Sequence, residues 1–154
     1  MASYKTVLVG TDGSESSYRA VERAAQVAAD AGGKLLIVSA YMAMSDRDQR
    51  RASDELGEES YKVVGSHPAE DILRDATDLA KKAGAKTVDT VSQSGDPVDV
   101  LVDVIDKRNV DLCVVGNRGL NSLAGRLLGS VPANISHRAS CDVLIVHTTK
   151  GRGR

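Results

Sequence analysis

The sequence has few aromatic side chains and no surplus of charge of either sign. Its 154 residues include four Tyr but no Phe or Trp, so a folded core has to be built from Val, Leu, Ile and Ala. Twenty Lys and Arg stand against 21 Asp and Glu, which gives a net charge of −1. Nucleic-acid binding normally needs a basic surface, and single strands also need aromatic stacking platforms. Both absences argue against a nucleic-acid partner.

Cysteines and long apolar runs are also scarce. The two cysteines, Cys113 and Cys141, form neither a disulfide framework nor the spacing of a metal site. The longest apolar run, Leu35–Met44, is interrupted by Ser39 and is much shorter than the roughly 20 residues of a bilayer span. The N-terminus lacks the pattern of a signal peptide. We therefore expect a cytoplasmic protein with no membrane partner and no metal site.

Five short apolar segments alternate with four segments of helical periodicity. We place the strands at residues 4–10, 34–41, 86–93, 111–116 and 141–148, with the third alternating as an edge strand does. Residues that favour helix starts introduce the helical segments: Ser14, Pro68, Asp96 and Ser130. This alternation predicts an α/β domain with a parallel sheet and helices on both faces. We expect a single domain over residues 1–154 with its core in 4–148.

Two stretches fall outside this pattern. Residues 42–67 are charged, weakly periodic and too long for an ordinary connection. A mobile lid, a partner contact and a solvated excursion all remain open for this segment. The basic residues within 149–154 are interpreted as a solvated tail.

Glycines end the first and fourth predicted strands and recur before the last helix. Gly10 leads into TDG, and Gly116 opens the stretch GNRGLNSLAGRLLGS, which contains four glycines. In a doubly wound sheet, ligands lie beyond the carboxyl ends of the strands, where the winding reverses direction. With the strand order 3-2-1-4-5, that point lies between these two strands. Glycines let backbone amides approach an anion, and the helix start at Ser130 adds donors. The pattern predicts a phosphate site.

Individual side chains in these loops have alternative roles that stay open. Asp12 can accept hydrogen bonds from ribose hydroxyls, or it can form an Asx turn at the start of the first helix. Ser130 can meet a phosphate oxygen or cap its own helix. Arg118 and Arg126 can neutralise phosphate charge, although arginines on loops are usually solvated.

The spacing of the glycines resembles that of the universal stress protein family. Gly116, Gly119 and the pair Gly129–Ser130 match the pattern G-x2-G-x9-G-(S/T). The segments VLVGTDGS, VDLCVVGNRG and CDVLIVHT resemble the first, fourth and fifth strands of that family. The resemblance covers essentially residues 5–148, and GRLLGSVPANISHRA is most similar to actinobacterial members, among which cyclic AMP binders occur.

The resemblance implies a Rossmann-like or flavodoxin-like fold, usually in a homodimer, with adenine nucleotide in the cleft of the ATP-binding members. It implies that Thr11 and Asp12 border the nucleoside, with Asp12 on ribose, and that Ala40 lies beside adenine. It also implies that Gly116 approaches the ribose and that phosphate is held by Gly119, Gly129, Ser130 and Val131. The sequence departs from the family at Asn117, where many members have Ser, and at Cys141–Asp142, where Cys-Pro is frequent. The predicted nucleotide-binding residues are Gly10, Thr11, Asp12, Ala40, Gly116, Asn117, Arg118, Gly119, Gly129, Ser130 and Val131.

Three functions compete for this cleft. The first is a regulatory or sequestering binder of cyclic AMP or ATP in the stress response, with Mg²⁺ accompanying ATP. The second is a slow ATP hydrolase or nucleotidyl transferase, for which the sequence offers no GxxxxGK(S/T), no GxGxxG and no assigned catalytic residue. The third is a dimerisation module with an empty cleft. We adopt the first, as a homodimer through the apolar last strand, Val143–His147.

Overall fold

The computed structural model describes residues 3–41, 67–117 and 130–148. The elements are β1 (Thr6–Gly10), α1 (Glu15–Ala31), β2 (Lys34–Tyr41), α2 (His67–Lys82), β3 (Val88–Ser94), α3 (Pro97–Lys107), β4 (Leu112–Gly116), α4 (Ser130–Arg138) and β5 (Asp142–Val146). These described strands form one parallel sheet in the order β3-β2-β1-β4-β5. The predicted α/β class and strand order are therefore confirmed, including the position of β3 at an edge.

Side chains alternate along the strands and so supply two apolar cores, one on each face of the sheet. Val7 and Val9 of β1 belong to the core formed with α1 and α2, whereas Leu8 belongs to the core formed with α3 and α4. All three side chains are fully buried. A sheet covered on both faces requires strands that are apolar on both sides. This explains why β1, β2 and β4 show continuous apolar runs, whereas β3 alternates.

The helix starts follow the capping residues of the sequence in two cases. Ser14 accepts a hydrogen bond from the Ser17 amide, 3.1 Å away, and precedes α1 as its N-cap. Asp96 accepts from the Val98 amide at 3.1 Å and precedes α3. Helix α4 differs from the prediction, because Ser130 is already its first helical residue and not the cap before it.

The first and last strands are shorter than predicted because their flanking residues have other partners. The Asp111 carboxylate accepts hydrogen bonds from the amides of Lys5 and Thr6, so the chain meets this side chain as it enters β1. Strand β5 ends at Val146, and the Thr148 amide then donates to the side chain of Asn117. Side-chain acceptors thus replace backbone acceptors at these strand ends. The hydropathy of the sequence alone cannot predict at which residue this happens.

Other expectations concern parts of the chain that the structure does not describe. Of the charged stretch 42–67, only His67 falls among the described residues, as the first residue of α2. The tail at 149–154 lies outside them, and the single domain over 1–154 stays a prediction. Within the three described ranges, none of the helices combines the length and apolar character that a bilayer span requires.

Both cysteines are free thiols. Burial raises the pKa of the Cys113 thiol to about 12. Burial, followed by the nearby Asp142 carboxylate, also raises the pKa of Cys141. Cysteine chemistry depends on the thiolate. At neutral pH both thiols therefore have less thiolate character than an unperturbed cysteine.

Candidate functional site

A cleft opens at the carboxyl ends of β1 and β4, where the sequence places the site. Its lining comes from the β1–α1 connection, the end of β2, α3, the end of β4 and the start of α4. The lining residues are Gly10, Thr11, Asp12, Ser14, Ser16, Ser17, Ala40, Pro97, Leu101, Val115, Gly116, Val131 and Pro132. Among these are six of the predicted site residues: Gly10, Thr11, Asp12, Ala40, Gly116 and Val131.

The other five predicted site residues either have partners within the protein or are not fully described by the structure. Asn117 follows β4, and its side chain bonds to Thr148 within the protein. Ser130 begins α4, but its side chain lies outside the described part of the structure. Arg118, Gly119 and Gly129 also lie outside it. The phosphate role of the glycine motif therefore stays a prediction.

The lining divides into an apolar part and a hydroxyl-rich part. Ala40, Leu101 and Val115 contribute aliphatic surface from three different elements. The polar part comes from the segment TDGSESS, residues 11–17, whose lining members supply hydroxyls and the Asp12 carboxylate. Ligand sites commonly combine an apolar wall with a few placed polar groups. The cleft suits a ligand with an apolar, planar portion and a hydroxylated portion.

The two strand-ending glycines have close neighbours within the protein. A Cβ on Gly10 would lie 3.3 Å from Cδ2 of Leu101, and a Cβ on Gly116 would lie 3.1 Å from Cγ2 of Thr148. Both distances are tighter than ordinary van der Waals contact. Part of the need for glycine at these positions thus comes from the protein's own packing. An approach of ligand to Gly116 stays a prediction.

Asp12 forms the Asx turn that the sequence left open. Its Oδ1 accepts a hydrogen bond from the Ser14 amide at 2.9 Å. This contact helps to start α1, and Gly13, between the two residues, has a φ of +84°. The side chain of Asp12 is exposed, and the bond of the Asx turn uses Oδ1 alone. The second oxygen is therefore available to a ligand hydroxyl without breaking the turn.

Hydroxyl groups beside Asp12 are joined in a short chain. Thr11 Oγ1 accepts from the Gly13 amide at 3.2 Å and lies 2.7 Å from Ser17 Oγ. Ser17 Oγ in turn donates to the Ser14 carbonyl at 2.9 Å. Thr11 is only 6% exposed. These hydrogen bonds hold the Thr11 and Ser17 hydroxyls in place at the floor of the cleft, at the start of α1.

Thr148 forms a second cluster next to the cleft, which the sequence did not predict. Its amide and its Oγ1 both donate to Asn117 Oδ1, at 2.9 and 3.1 Å. Its Oγ1 lies 2.5 Å from Ser16 Oγ, and its carbonyl accepts from Arg19 Nη1 at 2.6 Å. The residue is 1% exposed. No sequence pattern marks this role, because these partners lie far from Thr148 along the chain.

Negative groups and occupied amides surround the start of α1. Asp12 and Glu15 contribute carboxylates, and burial, followed by the Asp75 and Asp12 carboxylates, raises the pKa of Tyr18. The Thr11 amide donates to the Val38 carbonyl, and those of Gly13 and Ser14 bond to the Thr11 and Asp12 side chains. An anion needs unoccupied donors and positive potential. The two carboxylates and the three bonded amides therefore make this helix start a poorer place for phosphate than one without them.

Comparison with known proteins gives consistent matches along the chain. The model of the Universal stress protein family matches residues 3–147. A universal stress protein of Mycobacterium tuberculosis is 58% identical over 149 residues, which are 97% of this chain and 100% of the relative. These matches include the whole of the described sheet.

Solved structures with similar folds include nucleotide complexes. A universal stress protein crystallised in complex with cAMP is 47% identical, with a TM-score of 0.75 over 96% of this chain and 100% of that one. A universal stress protein of Archaeoglobus fulgidus in complex with dAMP has a TM-score of 0.66 at 20% identity, over 94% of this chain and 98% of that one. At that identity the second likeness supports the fold alone.

Proposed function

The chain belongs to the universal stress protein family, and on that premise we propose that it binds an adenine nucleotide in the cleft between β1 and β4. The observation that carries the proposal is the divided lining of this cleft, aliphatic on one side and hydroxyl-rich on the other. The cAMP complex of a 47% identical protein supports the same ligand class. A nucleotide has matching parts, since adenine is planar and largely apolar whereas ribose carries hydroxyls.

The predicted site residues take separate roles in this proposal. Adenine would lie against the aliphatic surface that includes Ala40, and ribose would lie beside Thr11 and Asp12. The phosphate would then face away from the carboxylates of α1, toward the start of α4. The residues proposed for that side are Arg118, Gly119, Gly129, Ser130 and Val131, whereas Gly116 would approach the ribose.

Charge favours cyclic AMP over ATP as the ligand. The cleft lining in the described part of the chain contains one carboxylate, that of Asp12, and no Lys or Arg, so Arg118 is the single basic residue proposed for the phosphate side. A triphosphate normally brings Mg²⁺ or several basic residues to neutralise it, whereas cyclic AMP carries a single negative charge. We propose cyclic AMP first and ATP with Mg²⁺ as the alternative. The proposed role is a cytoplasmic, homodimeric, regulatory or sequestering binder.

Calorimetric titration of the full chain with cyclic AMP and, separately, with ATP plus Mg²⁺ tests the proposal. We expect saturable binding of cyclic AMP with one site per chain. Replacement Ala40→Leu should weaken that binding about tenfold or more, because the added side-chain volume occupies the adenine position. Ala31→Leu, at the far end of α1 from the cleft, is the matched control. Absence of binding heat and of thermal shift with either nucleotide would overturn the proposal.

A further inference from the structure

We propose that Ser16 is a specificity-determining residue that accepts a hydrogen bond from a sugar hydroxyl of the nucleotide. This inference rests on the proposed function and adds a residue to it. Ser16 lines the cleft in the first turn of α1. Its hydroxyl lies in a relay of hydrogen bonds with Thr148 and Asn117, and the direction of that relay decides what Ser16 can offer a ligand.

The direction is fixed at Asn117. The Thr148 amide contacts one atom of the Asn117 side chain at 2.9 Å. A backbone amide can only donate, so this atom is the carbonyl oxygen, Oδ1, and not the amide nitrogen. Thr148 Oγ1 contacts the same oxygen at 3.1 Å. Because Oδ1 has no hydrogen to give, the hydroxyl of Thr148 must donate its single hydrogen there.

The same reasoning then assigns the contact between Thr148 and Ser16. Their hydroxyl oxygens lie 2.5 Å apart, and either atom on its own is a competent donor. The hydrogen of Thr148 is already committed to Asn117, so Ser16 donates to Thr148. The relay therefore runs from Ser16 to Thr148 to Asn117. It leaves Ser16 Oγ with lone pairs and no hydrogen for the cleft.

Two neighbouring hydroxyls of the cleft, those of Thr11 and Ser17, follow the same rule. Ser17 donates its hydrogen to the Ser14 carbonyl, so the hydrogen between Thr11 and Ser17 must come from Thr11. Thr11, Ser16 and Ser17 therefore all commit their hydrogens within the protein. With the Asp12 carboxylate they place four hydrogen-bond acceptors along this edge of the cleft. Such an edge favours ligand hydroxyls, which donate, and disfavours phosphate oxygens, which cannot.

Thr148 and Asn117 act in this arrangement as positioning residues. Thr148 is 1% exposed and contacts α1 a second time through its carbonyl, which accepts from Arg19. It therefore holds the start of α1 against the end of β4. Asn117 supplies the terminal acceptor, without which the relay has no fixed direction. The inference thus gives Asn117 a role within the protein, in addition to the nucleotide contact that the sequence predicts for it.

The test compares nucleotides that differ only in sugar hydroxyls. Dissociation constants are measured for cyclic AMP against 2′-deoxy cyclic AMP, and for ATP against 2′,3′-dideoxy ATP, both with Mg²⁺. The unaltered protein should bind the hydroxylated form at least about tenfold more tightly. Ser16→Ala should reduce this ratio about three- to tenfold, the effect of one hydrogen bond. Thr148→Val should reduce it in the same direction but by less, because Ser16 can then turn its hydrogen toward the cleft while keeping its lone pairs, whereas Thr148→Ser should retain it.

Ser140→Ala is the matched control, because it removes a hydroxyl that bonds to Asp106 away from the cleft. Its ratio should equal that of the unaltered protein. If Ser16→Ala weakens both forms equally, or if the unaltered protein binds both forms equally well, the inference is wrong while the proposed function stands. If no adenine nucleotide binds the unaltered protein, the proposed function fails and the inference fails with it.

Discussion

Single residues show how one position can satisfy the fold before it serves a ligand. From the sequence, the missing side chain at Gly116 is interpreted as room for a nucleotide. In the structure, however, the atoms nearest to an added Cβ at Gly116 belong to Thr148. Asp12, proposed for ribose, also forms the Asx turn that starts α1. The contacts of Thr148 were not predictable, because Thr148 and Asn117 are 31 positions apart along the chain, whereas the Asx turn of Asp12 was one of the two roles left open by the sequence. Spacing rules describe neighbours on one element and do not identify such distant partners.

Gly32 and Gly33 need glycine for two different physical reasons, which permits a matched comparison. Gly32 has φ +69°, with nothing near an added Cβ, whereas a Cβ on Gly33 would lie 2.4 Å from the Tyr4 carbonyl oxygen. Asn tolerates the left-handed conformation. Gly32→Asn should therefore lower the free energy of unfolding by no more than about 1 kcal/mol. Gly33→Asn should lower it by about 2–3 kcal/mol, because backbone must move.

Urea denaturation of the two variants measures these free energies directly. Thermal unfolding provides a second ranking of the same pair. Equal losses at the two positions would contradict the assigned causes, since the steric conflict exists at Gly33 alone.

Secondary-structure elements were predictable where a buried apolar run has clear limits. Strand β2 occupies the predicted residues 34–41, between a glycine pair and the next segment. Helices α1 and α3 begin directly after their predicted caps, Ser14 and Asp96. The ends of β1 and β5 were not predictable, because the side chains of Asp111 and Asn117 replace the strand ladder there.

Asp103 links two elements and makes the attachment of β3 to α3 sensitive to pH. Hydrogen bonds from Gln93 of β3 and from Lys107 lower the pKa of Asp103 below its usual value of 3.8. A carboxylate with a lowered folded pKa stabilises the fold above its unfolded pKa, and this contribution is lost as pH falls through the folded value. The stability difference between the unaltered protein and Asp103→Asn should therefore shrink below about pH 4.

Thermal unfolding between about pH 2.5 and 6 measures that difference. Gln93→Ala removes the largest cause of the lowered pKa, so its profile should lie between those of the other two proteins. Parallel profiles for the unaltered protein and Asp103→Asn would show that this carboxylate contributes nothing to the acid dependence.

At the scale of the whole molecule, the order of the strands in the sheet determines where the cleft lies. The sheet order β3-β2-β1-β4-β5 reverses direction between β1 and β4, so their carboxyl ends leave room that helices do not cover. This location followed from the order of strands and helices in the sequence. The direction of each hydroxyl in the cleft did not, because it depends on contacts between β4, α1 and the residues after β5. Topology thus positions the cleft, and local hydrogen bonds determine its preference.

The edge strand β5 is the proposed surface for a homodimer. Among the described strands only β4 pairs with β5, and Leu144 on β5 is a large apolar side chain that is 36% exposed. An apolar edge is a liability unless another chain covers it. In a symmetric dimer Leu144→Lys removes the burial of the exposed third of two leucines, about 0.5–1 kcal/mol each, and brings two lysine charges to the interface, so it should weaken association roughly tenfold or more.

Light scattering after size-exclusion chromatography distinguishes the two states of the chain. The unaltered protein should have twice the chain mass, and Leu144→Lys should have the mass of one chain at the same micromolar concentration. Thr90→Lys changes an exposed residue on the opposite edge, β3, and should remain dimeric. A dimer that survives Leu144→Lys but dissociates with Thr90→Lys would move the interface to β3. A monomeric unaltered protein would instead mean that β5 stays uncovered in solution, so its exposed Leu144 would need another explanation.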